Sequence, residues 1–448
     1  MSKRGGESTA ESSFVGGDTT PRVSVVVPTH NRAQDLRRTL ESLCEQTLGV
    51  DEYDVIVADD GSTDETRSVV HSFAGRLRLK YLFQEDLGAR AAQVRDNGVT
   101  RVRNAGARLA TAPVLVFLDC ATLAGPDLLT AHLLAHTPPA VPGRAIAGYV
   151  YAYPPRRVDD PSYAPPAGLA EAVRTLTPQQ VADRYRDEPR FRDPRHEEFE
   201  KVGFDLGERI FPEELFWSSN CSIPAVDFWA VGGFDEDFRG WGLDDVDLGY
   251  RLARNGTAIQ LSLDAWAIES PHERDGAVNF AGLLRNAESF FTKYRFAEPS
   301  LELGWLVLQS PTEPALCTVE MLSRRVADWT RQCAGRTVTA ELAKAFESIA
   351  PDARVAVLGA GAVVPAVRQS CVLADFDRQV VDRLVADGAG ARHDVRHNVG
   401  VRTALPDRAV DTVVITSRLD GLWGDFGPAI LAEARRIGTR EPVRTGDR

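Results

Sequence analysis

Short apolar runs alternate with helical periodicity in the first part of the chain. Largely apolar runs occur at residues 23–27, 54–58 and 114–118, and Leu36, Leu40 and Leu43 recur at helical spacing after the first run. Continuous apolar runs are typical of strands covered by helices on both faces. The pattern therefore predicts an α/β fold with a largely parallel sheet.

A later segment, residues 232–252, reads GGFDEDFRGWGLDDVDLGYRL and places six acidic residues around a Gly-Trp-Gly corner. Positions 246, 249, 250 and 253 have helical spacing, so Asp244 and Asp245 fall near a helix start, where the dipole favours carboxylates. An acidic first turn that only suits the dipole is one interpretation. The other is a general base, because a carboxylate facing a cleft can take a proton from a hydroxyl.

Polar residues also follow each of the three apolar runs. Thr29, His30 and Asn31 follow the first run, Asp59, Asp60 and Ser62 the second, and Asp119 the third. Ligands of open α/β sheets bind at the carboxyl ends of the strands. An Asp-Asp-Gly-Ser sequence is also common in ordinary turns, so each motif is weak when taken alone.

The order of these motifs, with RNAGARLA at residues 103–110, resembles the family 2 nucleotide-sugar glycosyltransferases of the GT-A fold. The resemblance extends from Val23 to about Lys293. It implies a Rossmann-like GT-A catalytic domain, which we place at residues 21–300.

The resemblance also implies a donor site at the strand ends. Thr29 and Asn31 are expected beside the nucleoside and Asp59 on the base, and Asp60 and Ser62 are expected to shape the turn. Arg103 and Asn104 match an Arg-Asn pair that lies near the nucleotide sugar in relatives. Arginine suits a diphosphate because its planar guanidinium binds oxyanions in pairs.

Catalytic and metal-binding roles come from the same resemblance. GWGLDD implies Asp245 as the catalytic base and Asp244 as an acceptor contact, and Trp241 is either a stacking surface for an acceptor sugar or a packed corner residue. Asp119 matches the first aspartate of a metal-binding signature, and His272 matches a histidine that often completes the metal site. A lone histidine is more often structural or exposed.

The metal signature departs from the family pattern at Ala121, where relatives carry an acidic residue or histidine. Mg²⁺ prefers oxygen ligands, and Mn²⁺ also accepts imidazole. The remaining protein ligands would be Asp119 and His272, with the Thr122 hydroxyl as a third candidate. Three readings follow: a cation held mainly by the diphosphate, which we favour, transfer without metal, or a domain that has lost activity.

Composition narrows the function classes. The net charge of −12 argues against nucleic acid as the main partner. The six cysteines lack metal-ligand spacing and fit free thiols in a reducing cytosol. Residues 1–20 predict a disordered leader, and no apolar run reaches the ~20 residues that span a bilayer. We therefore expect a cytoplasmic protein with an acceptor that is soluble or reached at the membrane surface.

Two further regions are less defined. Residues 149–215 are rich in Pro, Arg and acidic residues, which fits either a solvated insertion or a region that borders the acceptor. Residues 301–350 predict a helical linker. Residues 351–448, with Gly359, Gly361 and Asp375 at strand ends, resemble a truncated class I S-adenosylmethionine-dependent methyltransferase. A degenerate Rossmann-like module that serves docking or homo-oligomerisation fits this short segment better than an active methyltransferase.

The sequence thus predicts a hexosyl- or N-acetylhexosaminyl-transferase that inverts the sugar. It would use a nucleotide-diphosphate donor, expected to be a UDP-sugar, and an acceptor hydroxyl or thiol on a peptide, glycan or small natural product. The alternatives are a sugar-nucleotide-binding scaffold without catalysis and a bifunctional glycosyltransferase and methyltransferase.

Overall fold

The computed structural model describes residues 8–13, 20–84, 99–137, 143–154, 165–272, 276–309 and 318–445. The chain divides into two compact units, Met1–Asn286 and Ala287–Arg448.

The strands of the N-terminal unit form one mixed sheet. They are β1 (Ser8–Ser13), β2 (Val23–Thr29), β3 (Tyr53–Asp59), β4 (Leu79–Gln84), β5 (Val114–Leu118), β6 (Thr122–Ala124), β7 (Arg144–Tyr151), β8 (Asn220–Pro224) and β9 (Ala258–Glu269). Their order is β1-β4-β3-β2-β5-β8-β7-β9-β6. Strands β4, β3, β2 and β5 run parallel, which confirms the predicted α/β pattern.

The helices of this unit connect and cover the strands. They are α1 (Ala33–Cys44), α2 (Thr66–Ser72), α3 (Val99–Leu109), α4 (Leu128–Ala135), α5 (Leu169–Thr175), α6 (Pro178–Tyr185), α7 (His196–Lys201), α8 (Ala225–Ala230) and α9 (Asp244–Arg254). Helix α10 (Gly276–Tyr294) begins in this unit and continues past its last residue, Asn286. Helix α1 buries Leu36, Leu40 and Leu43 against β2 and β3. Helix α3 approaches closely at Gly106, where a Cβ would lie 2.7 Å from Val26 Cγ1.

Part of the predicted leader is a strand. Residues Ser8–Ser13 pair antiparallel with β4, from Ser8 opposite Gln84 to Ser13 opposite Leu79. This differs from the disorder predicted for these six residues, because backbone pairing with an open sheet edge does not require apolar side chains. The other residues of the predicted leader, except the last, lie outside the described ranges.

The segment after β7 is folded. Residues 165–215 contain α5, α6, α7 and 3-10 turns, and Leu169, Val173, Val181 and Phe191 are buried in one apolar cluster. A solvated insertion would not bury such residues together. Residues 155–164 of this segment lie outside the described ranges.

The C-terminal unit is a second α/β layer structure. Its elements are α11 (Pro299–Leu308), α12 (Thr318–Gln332), α13 (Thr339–Glu347), β10 (Arg354–Leu358), β11 (Ser370–Asp375), α14 (Arg378–Ala386), β12 (Asp394–His397), β13 (Thr412–Ile415), α15 (Trp423–Ile437) and β14 (Val443–Arg444). The parallel strand order β12-β11-β10-β13-β14 confirms the Rossmann-like module. Leu342 and Phe346 of the predicted linker are buried with β10 and β11 in one core cluster, so the unit begins earlier than we predicted.

Candidate active site

The strand order reverses at β2, because β3 lies on one side of it and β5 on the other. Ligands of open α/β sheets bind at such reversal points. The backbone N–H of Asp60 donates to the Thr29 carbonyl oxygen at 2.9 Å, and the Thr29 hydroxyl lies 3.6 Å from the Sγ atom of Cys120. The polar ends of β2, β3 and β5 therefore meet, as the sequence predicted.

Asp59 and Asp60 have different surroundings. Asp59 is 1 % exposed, and its two carboxylate oxygens accept hydrogen bonds from the Ser62 backbone N–H at 2.8 Å and the Tyr81 hydroxyl at 2.6 Å. The Asp60 side chain is 12 % exposed and lies 3.8 Å from Arg101. The geometry therefore gives Asp59 a turn-shaping role, whereas the resemblance implies that role for Asp60.

Asn31 also shapes the turn. Its φ angle is +51°, a conformation that Asn tolerates better than most residues. The side-chain oxygen accepts from the Thr63 backbone N–H at 2.7 Å, and the Asn31 backbone N–H donates to the Ser62 hydroxyl at 2.8 Å. Asn31 and Ser62 thus lie together at the predicted donor edge.

His30 is a residue of this edge to which the sequence analysis assigned no role. It is exposed, and its Nδ1 atom lies 2.7 Å from the Asp60 carbonyl oxygen. A carbonyl oxygen only accepts, so Nδ1 carries the proton. Its position between Thr29 and Asn31 was the available signal.

Arg103 joins two of the predicted site carboxylates. It is 4 % exposed, its Nη2 atom lies 2.6 Å from Asp119, and its Nη1 atom lies 2.9 Å from Asp244. Burial would lower the pKa of Arg103, but Asp119 and Asp244 outweigh burial and raise it. Arg103 is therefore a buried cation between two acids, and this pairing differs from the diphosphate contact implied by the resemblance.

The Asn104 side chain is buried and bonded to the loop after α8. It is 2 % exposed, its side-chain oxygen accepts from the Phe234 N–H at 2.9 Å, and its amide donates to the Phe234 carbonyl at 2.8 Å and to Glu236 at 2.9 Å. A buried amide with these bonds fixes the loop after α8. The structure thus places Asn104 in a structural role.

Asp244 and Asp245 begin α9, as predicted, and Leu243 precedes them. Asp245 is partly exposed, and its carboxylate accepts from the Val246 N–H at 2.9 Å. Burial and the nearby charge of Asp244 raise the pKa of Asp245 to about 7, although Arg103 and backbone N–H groups oppose the shift. A carboxylate with a pKa near neutrality suits proton abstraction.

Few side chains at the metal-binding signature can supply a ligand to a cation. Ala121 and Thr122 are buried, and the Thr122 hydroxyl donates to Glu269 at 2.9 Å. Ser270 donates to the Ala121 carbonyl at 2.8 Å, which brings the segment of His272 beside residue 121. Within the described ranges, three His, Cys, Asp or Glu side chains do not converge in a metal-holding group.

His272 nevertheless fits a metal ligand. Its Nδ1 atom lies 2.9 Å from the Ser270 carbonyl oxygen, so Nδ1 carries the proton and the lone pair is on Nε2. Metal-ligating histidines commonly make such a second hydrogen bond. Asp119, with a side chain 32 % exposed, supplies an oxygen donor. The donor set fits a cation that takes most of its ligands from a bound diphosphate.

A buried ion pair stabilises the segment between β7 and β8. Arg195 and Asp193 have side chains 0 % exposed and lie 2.7 Å apart. Arg195 donates to the Leu215 and Gly148 carbonyl oxygens at 2.8 Å each and lies 4.2 Å from the centroid of the Trp217 ring. Trp217 precedes Ser218, whose backbone bonds to Asp245. The ion pair thus supports the chain next to Asp245.

In the C-terminal unit, the acid that the resemblance assigns to cofactor binding is bonded to other residues of the chain. Asp375, 0 % exposed, accepts from Arg418 Nε at 2.8 Å and Nη2 at 3.1 Å, and from the backbone N–H groups of Gly361 at 2.9 Å and Asp377 at 3.0 Å. A Cβ on Gly359 would lie 3.2 Å from Arg418 Cβ. These residues do not fit the ribose of a bound S-adenosylmethionine, because Arg418 already occupies the acid.

In the part of the chain that the structure describes, none of the helices is both long and apolar enough to cross a membrane.

Comparison with known proteins places the chain among glycosyltransferases. The model of glycosyl transferase family 2 matches residues 24–140, and that of the N-terminal domain of galactosyltransferase matches residues 201–268. Validoxylamine A glucosyltransferase of Streptomyces hygroscopicus subsp. jinggangensis is 41 % identical over 438 residues, which cover 95 % of this chain and 98 % of that protein. Chondroitin synthase of Escherichia coli is 31 % identical over 52 % of this chain and 32 % of its own length.

Among solved structures, the mannosyltransferase PcManGT of Pyrobaculum calidifontis, in complex with GDP-Man and Mn²⁺, has a TM-score of 0.40 at 19 % identity. The match covers 73 % of this chain and 80 % of that one.

Proposed function

Because this chain belongs to the family 2 glycosyltransferases and is a nucleotide-sugar glycosyltransferase, we propose that it transfers glucose to a hydroxyl of validoxylamine A or a similar acceptor. The observation that carries the substrate proposal is the 41 % identity to validoxylamine A glucosyltransferase over nearly the full length of both chains. We propose a UDP-linked donor on the family resemblance.

The reaction is a single displacement that inverts the anomeric carbon. Asp245 takes the proton of the acceptor hydroxyl, the acceptor oxygen forms a bond to C1 of the sugar, and the bond from C1 to the diphosphate oxygen breaks. The electron pair of that bond leaves with the nucleoside diphosphate. Support for Asp245 comes from its partial exposure at the start of α9 and from its raised pKa of about 7.

The donor nucleoside would lie at the ends of β2 and β3. Thr29, Asn31 and Ser62 form this edge, Asp60 is the more exposed of the two acids, and the exposed His30 ring lies beside it. We therefore propose Asp60 and His30 as the contacts to the base, with Asp59 holding the turn from behind.

Asp119 and His272 would hold a divalent cation, Mn²⁺ or Mg²⁺, when the donor is bound. The cation would neutralise charge on the diphosphate leaving group. Arg103 positions Asp119 and Asp244, and Asp244 and Trp241 would contact the acceptor.

The test is the variant Asp245→Asn, in which the side chain keeps its size but cannot accept the proton. We expect donor binding by calorimetry to be unchanged and transfer to fall roughly 10²–10⁴-fold. In the wild type, kcat/KM should rise with pH through an apparent pKa near 7, because only the ionised carboxylate is a base.

The exposed Asp237 of the same segment provides the control, since Asp237→Asn makes the same chemical change away from the site. Wild-type turnover in Asp245→Asn would refute the assignment of the base.

A further inference from the structure

The corner that leads into α9 has an unusual backbone. Gly240 and Gly242 have φ angles of +76° and +106°, and Leu243, directly before Asp244, has a φ of +66°. A left-handed conformation costs a residue with a Cβ roughly 1–2 kcal/mol, so Leu243 holds this shape only if its surroundings impose it. The corner also determines where Asp244 and Asp245 point.

Helix α10 supplies that constraint through Asn286. This residue is 3 % exposed; its side-chain oxygen accepts from the Arg239 backbone N–H at 3.2 Å, and its amide donates to the Gly242 carbonyl at 2.8 Å. One side chain thus holds both ends of the corner. Such paired backbone bonds are specific, because an amide has a donor and an acceptor at fixed spacing.

Gly282, one turn before Asn286, allows α10 to approach the corner. A Cβ on Gly282 would lie 3.1 Å from the Trp241 carbonyl oxygen and 3.2 Å from the Trp241 N atom. Leu283 packs against Gly242, where an added Cβ would lie 2.8 Å from Leu283 Cδ1. The helix therefore contacts the corner backbone itself.

We propose that Asn286 is a positioning residue for the catalytic base, and that Gly282 is required for its contact. Asn286 does not reach the substrate; it acts by holding the corner that presents Asp245. The inference rests on the proposed function, in which Asp245 is the base. The proposed donor contacts lie at the ends of β2 and β3, which Asn286 does not touch, so its loss should leave donor binding intact.

The test is Asn286→Ala in the full chain, with kcat, acceptor KM and donor binding measured separately. We expect kcat to fall roughly 10- to 100-fold, because a displacement of about 1 Å in a reacting group has such an effect. In an Asp245→Asn background, Asn286→Ala should cause no further fall, because both changes act through the same carboxylate.

Two matched variants separate positioning from general destabilisation. Asn398 is also 3 % exposed and donates to a backbone carbonyl, that of Phe296 at 2.7 Å, so Asn398→Ala should lower the melting temperature and leave kcat unchanged. Gly424 lies in α15 with open space around it, so Gly424→Ala should be silent, whereas Gly282→Ala should reproduce the kcat loss of Asn286→Ala.

The outcomes distinguish this inference from the assignment of the base. Unchanged kcat in Asn286→Ala, together with an inactive Asp245→Asn, would overturn the positioning role and leave the base in place. An additive fall in the double variant, or an equal loss of kcat in Asn398→Ala, would also overturn it. An active Asp245→Asn would instead remove the base.

Discussion

Arg103 sets the charge balance around the carboxylates of the proposed site. Its guanidinium pairs with both Asp119 and Asp244, so this part of the site has fewer uncompensated negative charges than its acids suggest. A second carboxylate at position 121 would add another negative charge. The alanine there is therefore compatible with an active site that relies on fewer protein ligands for a cation.

We predict that a chelator lowers the transfer rate by about 10²-fold or more. A cation that neutralises a leaving diphosphate stabilises the transition state by several kcal/mol. Mn²⁺ should restore the rate better than Mg²⁺, since imidazole is an acceptable ligand for manganese. His272→Ala should reduce the advantage of Mn²⁺.

The measurement is the initial transfer rate in metal-free enzyme to which each cation is added in turn. Equal rates with and without the chelator would show that transfer does not need a cation.

Residue types and spacing predicted which residues meet, but they did not predict which way each side chain turns. Arg103, Asp119 and Asp244 were expected at one site and are in contact. Asp59 and Asp60 are adjacent and chemically identical, and it is the tertiary contact with the Tyr81 hydroxyl that distinguishes Asp59 as the inward-facing acid. Asn104 was placed near the donor by the family resemblance, and its bond to the Phe234 backbone, 130 residues away, could not be predicted from local sequence.

Strand β8 is supported by a chain of buried hydrogen bonds. The Asn220 amide donates to the Ala265 carbonyl at 2.8 Å, so its oxygen accepts from His132 Nε2 at 2.9 Å. His132 Nδ1 then accepts from the Ser222 hydroxyl at 2.8 Å, and Ser222 in turn accepts from His136 Nε2 at 2.8 Å. This arrangement requires a neutral His132, because a protonated Nδ1 atom could not accept the hydrogen bond from Ser222.

We predict that this element loses stability in acid. Burial lowers the pKa values of His132 and His136 to about 4, below the ordinary value of 6.5. Between these values the unfolded chain binds protons that the folded chain does not, so the stability contributed by the neutral histidines falls as pH decreases from about 6.5 to 4.

The measurement is the melting temperature across that range for the wild type and for His136→Gln. Glutamine can still donate to Ser222 but does not titrate. The acid-induced decrease in melting temperature should therefore be smaller by several degrees in His136→Gln than in the wild type. His71→Gln, at an exposed position, is the control. Identical pH dependence in the wild type and His136→Gln would contradict the prediction.

The charge pattern of residues 165–215 does not show whether this segment is folded. Its Arg and acidic residues fit a solvated loop as well as a folded one, because the pattern does not show which charges pair. Arg195 and Asp193 are two residues apart and fully buried as a pair, with Phe199 and Trp217 against the guanidinium. Neither the ion pair nor its burial can be inferred from local composition, because its other partners come from β7 and from Leu215.

For the whole molecule, the two units have different relations to ligands. The N-terminal unit is expected to bind a nucleotide sugar. The C-terminal unit has the strand order of a nucleotide-binding module, which the sequence predicted, but the acid at its second strand is paired with Arg418.

We predict that S-adenosylmethionine gives no heat of binding in calorimetry on the full chain. Arg418→Ala should lower the melting temperature of the C-terminal unit by roughly 5–15 °C, because it leaves Asp375 buried without its cation. Arg383→Ala, on the exposed surface of α14, should have little effect. A saturable heat with the wild type would show that Arg418 gives way to a ligand.

Because Asp375 is paired with Arg418, the buried acid of the C-terminal unit does not need a diffusible ligand to neutralise its charge. A domain that relies on a diffusible ligand becomes more stable as the concentration of that ligand rises, by mass action. Here the partner is attached to the chain and is always present at the same effective concentration. The concentration of S-adenosylmethionine should therefore not change the stability of this unit.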